Sequence, residues 1–127
     1  MIGTTLHEGR ASGPILRLDE PLSLWGGSDP ETGTIVDRRH PQFGETLQGR
    51  VLVMPRGRGS SSSATVLAEQ IRRGVGPSAI VIAEIDPLLP IGALAAAALY
   101  GIAVPIVRIA MEEYETLPRS GSLRVDA

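Results

Sequence analysis

Nine consecutive residues carry the chemistry this sequence offers most clearly: Pro55-Arg56-Gly57-Arg58-Gly59-Ser60-Ser61-Ser62-Ser63. They follow the apolar run Val51-Leu52-Val53-Met54, which reads as a short buried strand. After them Ala64, Leu67, Ala68 and Ile71 recur at the spacing of one helix face. A glycine-rich turn bearing four hydroxyls therefore opens a helix just after a strand. Unpaired N–H groups and the positive end of the helix dipole make such a turn an anion site. Arg58 can add a two-pronged hold on a carboxylate or phosphate. The plainer reading is that a serine at 60–63 caps the helix, worth about 1 kcal/mol, and that Arg58 is a surface arginine. One cap needs one serine, and four behind Gly-Arg-Gly exceed that need.

Other reactive groups are few. Cysteine is absent, which excludes disulfides, thiolate metal sites and a cysteine nucleophile within this chain. All twelve basic residues are arginine, so Schiff-base chemistry and a P-loop lysine are excluded too. The turn fails the Walker pattern and G-x-S-x-G alike. His40, with Asp37 three residues earlier, suggests a metal pair or part of a Ser-His-Asp set. With His7 the only other histidine, a loop role for His40 is the preferred reading, and no metal site is expected. Trp25, in a Gly-Gly-Ser-Asp setting, reads either as core or as part of a loop that approaches something closely. Asp29 and Asp37 are expected to stabilise turns.

The elements that must position these groups follow from length and pattern. At 127 residues, 43% hydrophobic and 20% charged, the chain reads as one domain, 1–127, with one proper core. A net charge of -2 and an aromatic content of 3% argue against nucleic acid or an anionic membrane as partner. The uncharged stretch from Pro87 to Val107 is long enough to span a bilayer. Its prolines and Gly101 instead divide it into a helix, Pro90–Tyr100, a turn and a strand, Val104–Val107. Nothing at the N-terminus resembles a signal peptide, and the expected compartment is the cytoplasm. Strands are predicted at Thr4–Glu8, Ile15–Leu18, Gly33–Asp37, Val51–Met54, Ala79–Ala83 and Leu123–Val125, and helices at Ser63–Arg73 and Glu112–Thr116. The fold class is α/β: a β-rich first half feeding a β-α-β-α-β second half.

The combination of motifs resembles a known family. Glu20-Pro21-Leu22-Ser23-Leu24-Trp25-Gly26-Gly27-x-Asp29, Thr32-Gly33-x-Ile35-x-Asp37, His40-Pro41 and Gly57-Arg58-Gly59-Ser60-Ser61-Ser62 are similar to the swivel domain of aconitase X. Asp86-Pro87, Gly92-Ala93 and Leu99-Tyr100-Gly101-Ile102-x-Val104-Pro105 agree as well, so the resemblance runs from about residue 5 to 110. It implies the swivelling β/β/α domain, like the C-terminal domain of aconitases. In that family the domain is either fused to a large catalytic domain or forms a separate small subunit, and this chain resembles the separate form.

The resemblance also implies a chemistry: dehydration of a small hydroxy acid, cis-3-hydroxy-L-proline in bacterial members or mevalonate 5-phosphate in archaeal ones. An iron–sulfur cluster or iron, held by the partner large subunit and not by this chain, would polarise the leaving hydroxyl. The first serine after Gly-x-Gly, here Ser60, would be the proton acceptor, with Arg58, Gly59, Ser61 and Ser62 binding substrate. Serine is a poor base, so the helix N-terminal amides and Arg58 would have to stabilise its alkoxide in a water-excluded site. One departure concerns the residues after the three serines: the family's loop usually continues Gly then Ser, whereas Ser63 and Ala64 stand here. The expected activity is that of the small subunit of an aconitase X-type hydro-lyase, inactive alone, with cis-3-hydroxy-L-proline the preferred substrate. The alternatives are mevalonate 5-phosphate, or a non-catalytic anion-binding module that regulates a partner.

Overall fold

The structure, a computed structural model, describes residues 3–58 and 61–127. In chain order its elements are β1 (Thr4–His7), β2 (Arg10–Arg17), α1 (Leu24–Gly27), β3 (Val51–Met54), α2 (Ser62–Arg73), β4 (Ala79–Ile82), α3 (Leu88–Tyr100), β5 (Ile106–Arg108), α4 (Met111–Thr116) and β6 (Ser122–Asp126). The six strands form one sheet in the order β1-β5-β4-β3-β2-β6. β2, β3, β4 and β5 run parallel, and β1 and β6 close the two edges antiparallel.

The fully apolar runs of β3 and β4 are buried on both faces, as central parallel strands require. Leu52, Met54, Ile80 and Ile82 point to one face, where they meet Leu67 and Ile71 of α2 and Leu89, Ala93 and Ala96 of α3. Val51, Val53, Ala79 and Val81 point to the other, against Tyr114 of α4, Leu117 and Val125. The β3-α2-β4-α3-β5 path places both long helices on one face, and they approach closely. A Cβ at Gly92 would lie 2.6 Å from the Ala64 carbonyl oxygen and 3.2 Å from Leu67 Cβ. Position 64 therefore serves helix packing. Gly101 ends α3 in the left-handed conformation (φ 70°), its N–H bonded to the Ala97 carbonyl.

The β2–β3 crossover, residues 18–50, is mostly irregular and covers the same face as the long helices. Its Leu18, Leu22, Leu24, Ile35 and Leu47 join the core cluster of α2 and α3. The strand predicted at Gly33–Asp37 lies here and does not form. Only the single bridges Ser28↔Ile35 and Thr34↔Thr46 occur, because turns on both sides leave no second extended partner. β2 is longer than predicted. Its first half, with Gly13 and Pro14, pairs with β6, and only Ile15–Arg17 pair with β3. Pro87–Val107 divides into α3 and the start of β5, and among the described residues no helix is long and apolar enough to cross a membrane.

Candidate active site

β3 and β4 end side by side, and the Pro55 carbonyl accepts the N–H groups of both Ala83 (3.1 Å) and Glu84 (3.0 Å). The turn after β3 and the loop after β4 therefore leave the sheet together at the carboxyl ends of parallel strands, where open α/β sheets place their ligands. Gly57 is bridged on one side to the buried Leu22 of the crossover. On its other side lies Asp86 of the β4–α3 loop, whose carboxylate would overlap any side chain at position 57.

Arg58 follows, exposed, and borders an open cleft of about 630 Å³ with Glu20, Asp37, Arg38, Arg39 and His40. Three guanidinium groups face two carboxylates, so the cleft is net positive. No ion pair among the described residues engages Arg38, Arg39 or Arg58, which leaves their donors open to an anion.

His40 is built into the cleft wall. The residue is 5% exposed; Nε2 donates to the Glu20 carbonyl at 3.0 Å, and Nδ1 accepts the Gln42 N–H at 3.0 Å. Both nitrogens are committed, in the neutral Nε2–H tautomer, and neither is available as a base or metal ligand. The Asp37 carboxylate takes the Arg39 N–H at 2.9 Å rather than the imidazole, and that of Asp29 takes the Glu31 N–H at 2.8 Å. Both aspartates are turn formers, as the sequence suggested. Asp19 and Gln42 pin the same wall through a reciprocal pair of bonds, at 3.0 and 2.7 Å. The Gln42 bond, with Arg119 second, holds the Asp19 carboxyl below its usual range. No cluster of three or more His, Asp or Glu side chains able to hold a metal exists among the described residues.

At the head of α2, Ser61 is the N-cap residue but makes no side-chain capping bond, so capping by its hydroxyl does not explain it. Ser62 opens the helix, half-buried. Ser63 is buried, and its Oγ has no hydrogen-bond partner among the described residues. Gly59 and Ser60, the first of which was expected to bind substrate and the second to accept the proton, lie outside the described residues.

The whole chain, residues 1–127, matches the model of the aconitase X swivel domain. The chain belongs to the aconitase X swivel-domain family. It is 39% identical over 115 residues to a protein of Hypocrea jecorina named cis-3-hydroxy-L-proline dehydratase, covering 91% of this chain and 19% of that one. It is 32% identical over 125 residues to the phosphomevalonate dehydratase small subunit of Methanocella arvoryzae, covering 98% of this chain and 90% of that one. The chain thus spans about a fifth of the hydroxyproline dehydratase that it matches but most of the archaeal small subunit. Among solved structures, the holo-form of Thermococcus kodakaraensis aconitase X superposes with a TM-score of 0.86 at 30% identity, over 98% of this chain and 88% of that one.

Within this aconitase X swivel domain, the structure brings Arg58 together with residues that sequence reasoning had not assigned to a site. Arg38 and Arg39 had no periodicity or motif to mark them, and Glu20 was marked only as the first residue of a family motif, with no role at a site. Trp25 stands on α1 and is 58% exposed, so it is not a core residue. Gln70, fully buried on α2, joins α1 to the core by donating to Ser28 Oγ (2.9 Å) and to the Asp29 carbonyl (3.1 Å).

Proposed function

We propose that this chain is the small subunit of an aconitase X-type hydro-lyase, acting in the cytoplasm with a large subunit that closes over the cleft. The observation that supports it most is the net-positive cleft at the carboxyl ends of the parallel strands, entered by Arg58 at the head of α2. Both acids named for the relatives carry a hydroxyl on the second carbon from the carboxylate. Dehydration removes a proton from the carbon beside the carboxylate and hydroxide from the next, leaving a carbon–carbon double bond and water. In this reading Arg58, Gly59, Ser61 and Ser62 hold the carboxylate, and Ser60 accepts the proton. The cost of ionising a serine is offset by the α2 amides and by Arg58 once water is excluded. Iron or an iron–sulfur cluster in the large subunit would supply Lewis acidity toward the leaving hydroxyl.

The substrate proposed is cis-3-hydroxy-L-proline. Arg38 and Arg39, which carry no ion pair among the described residues, favour mevalonate 5-phosphate as the second reading, because a phosphate would use their charge. Reconstitution with the large subunit and assay of both acids tests the assignment. The isolated chain should turn over neither. Ser60→Ala should lower kcat in the complex about a thousandfold or more, since general bases contribute roughly 10²–10⁴, while stability changes by no more than about 1 kcal/mol. Near-normal turnover by Ser60→Ala would remove Ser60 as the proton acceptor. Binding of either acid with no turnover by the wild-type complex would make the chain a regulatory anion-binding module instead.

A further inference from the structure

We infer that Asp86 is a positioning residue for the site turn, holding Gly57 in place so that Arg58 enters the cleft at a fixed point. The inference rests on the reading of this turn as catalytic. One oxygen of Asp86, Oδ1, accepts the Leu88 N–H at 2.8 Å, which fixes the side chain ahead of α3. The other, Oδ2, is thereby pressed against the Gly57 backbone. A Cβ built on Gly57 would overlap Oδ2 and lie 3.0 Å from the carboxyl carbon of Asp86 and 3.7 Å from its Cβ.

Gly57 is not among the residues with positive φ, so its backbone would accept any residue. What demands glycine here is the approach of Asp86. On the opposite side Gly57 is bridged to Leu22, which is buried. The strand end is fixed just upstream, where the Pro55 carbonyl takes two N–H groups from the β4–α3 loop. Gly57 is therefore clamped from both sides, one residue before Arg58 and three before Ser60. No ion pair among the described residues involves Asp86, so its contribution is shape and one oriented hydrogen bond rather than charge pairing.

Three substitutions in the reconstituted complex test this. Asp86→Asn keeps the size and an oxygen for Leu88 N–H, and should hold kcat within about threefold of wild type. Asp86→Ala should lower kcat roughly 10–100-fold with KM within about threefold, since an ångström of misplacement costs on the order of 10². Asp86→Ser retains an acceptor for Leu88 N–H but does not reach Gly57, so it should fall with Ala and separates the clamp from the start of α3. Amide resonances of Gly57 and Arg58 in the full chain should shift in the Ala and Ser variants but not in Asn. Wild-type kcat in Asp86→Ala or Asp86→Ser, or an Asn variant as impaired as Ala, would overturn the inference. Ser60→Ala in the same series separates the two readings. If it keeps turnover the catalytic reading of the turn fails, whereas the amide shifts still report whether Asp86 holds Gly57.

Discussion

Gln70 offers the sharpest test of how the core carries the site. Its side chain is fully buried on α2, the helix that the site turn opens, and its amide nitrogen donates to both Ser28 Oγ and the Asp29 carbonyl. Ser28 passes the connection on, its hydroxyl donating to the Leu24 carbonyl at 2.9 Å. The amide oxygen has no partner among the described residues. Flipping the amide would leave the Asp29 carbonyl without this donor, so the orientation is fixed by its surroundings and the orphaned oxygen is the cost. Replacement by methionine keeps the length of the side chain and removes both polar atoms. Two hydrogen bonds are lost, about 0.5–1.5 kcal/mol each, and one unsatisfied buried acceptor is relieved, recovering about 1–3 kcal/mol.

These contributions nearly cancel, and Gln70→Met should change stability by no more than about 2 kcal/mol in either direction. Gln70→Ala loses the same bonds and leaves a cavity as well, so it should cost a further ~2 kcal/mol or more. For a chain of this size each kcal/mol moves Tm by roughly 3–5 °C. Thermal unfolding of the isolated chain, followed by circular dichroism, measures both. Two arms bear on the site: Trp25 fluorescence should report loosening of α1 in both variants, and kcat of the complex should fall more in Ala than in Met. A Met variant as destabilised as Ala would show that the polar bonds dominate and would refute this accounting.

Two further outcomes are expected. Arg58→Lys should impair kcat/KM nearly as much as Arg58→Ala, because lysine keeps the charge but loses the planar fork. Tm should be unchanged in both, since Arg58 is exposed and has no ion pair among the described residues; wild-type kinetics in Arg58→Ala would place it outside the site. Glu69, bonded first to Arg72 and then to Arg73 in the last turns of α2, has its pKa lowered from 4.5 to about 2. A lowered folded-state pKa stabilises the fold above pH 4.5, and that stability is lost as pH falls from there through about 2. Melting curves between pH 5 and 2 should therefore show a smaller loss in Glu69→Gln than in wild type, and added salt should shrink the difference. Parallel curves for the two proteins would refute it.

How far the sequence foretold this molecule depended on how local each signal was. Val51–Met54 was legible to the residue because four consecutive apolar side chains can be buried only in a central strand or core helix, and Pro55 and Gly57 leave no room for the helix. The helix after the turn was legible because α2 has one polar face and one apolar face. α3 has almost no polar face, and its start at Leu88 was set instead by Asp86, whose bond to Leu88 N–H no periodicity announces. The crossover from 18 to 50 misled because Gly33–Asp37 has the composition of a strand but no partner long enough to pair with it. The site divides in the same way. Arg58 and the serines stand in one contiguous motif and could be picked out from sequence. The cleft wall is assembled from Glu20, Asp37, Arg38, Arg39 and His40, brought to Arg58 only because the crossover folds back over the ends of β3 and β4. Asp86 is the plainest case: the sequence marks Asp86-Pro87 only as part of a family motif, and the approach of its carboxylate to Gly57, 29 residues earlier, is visible only in the structure. A motif names the residues proposed to meet the ligand, and the contacts between separate loops decide where the described ones stand.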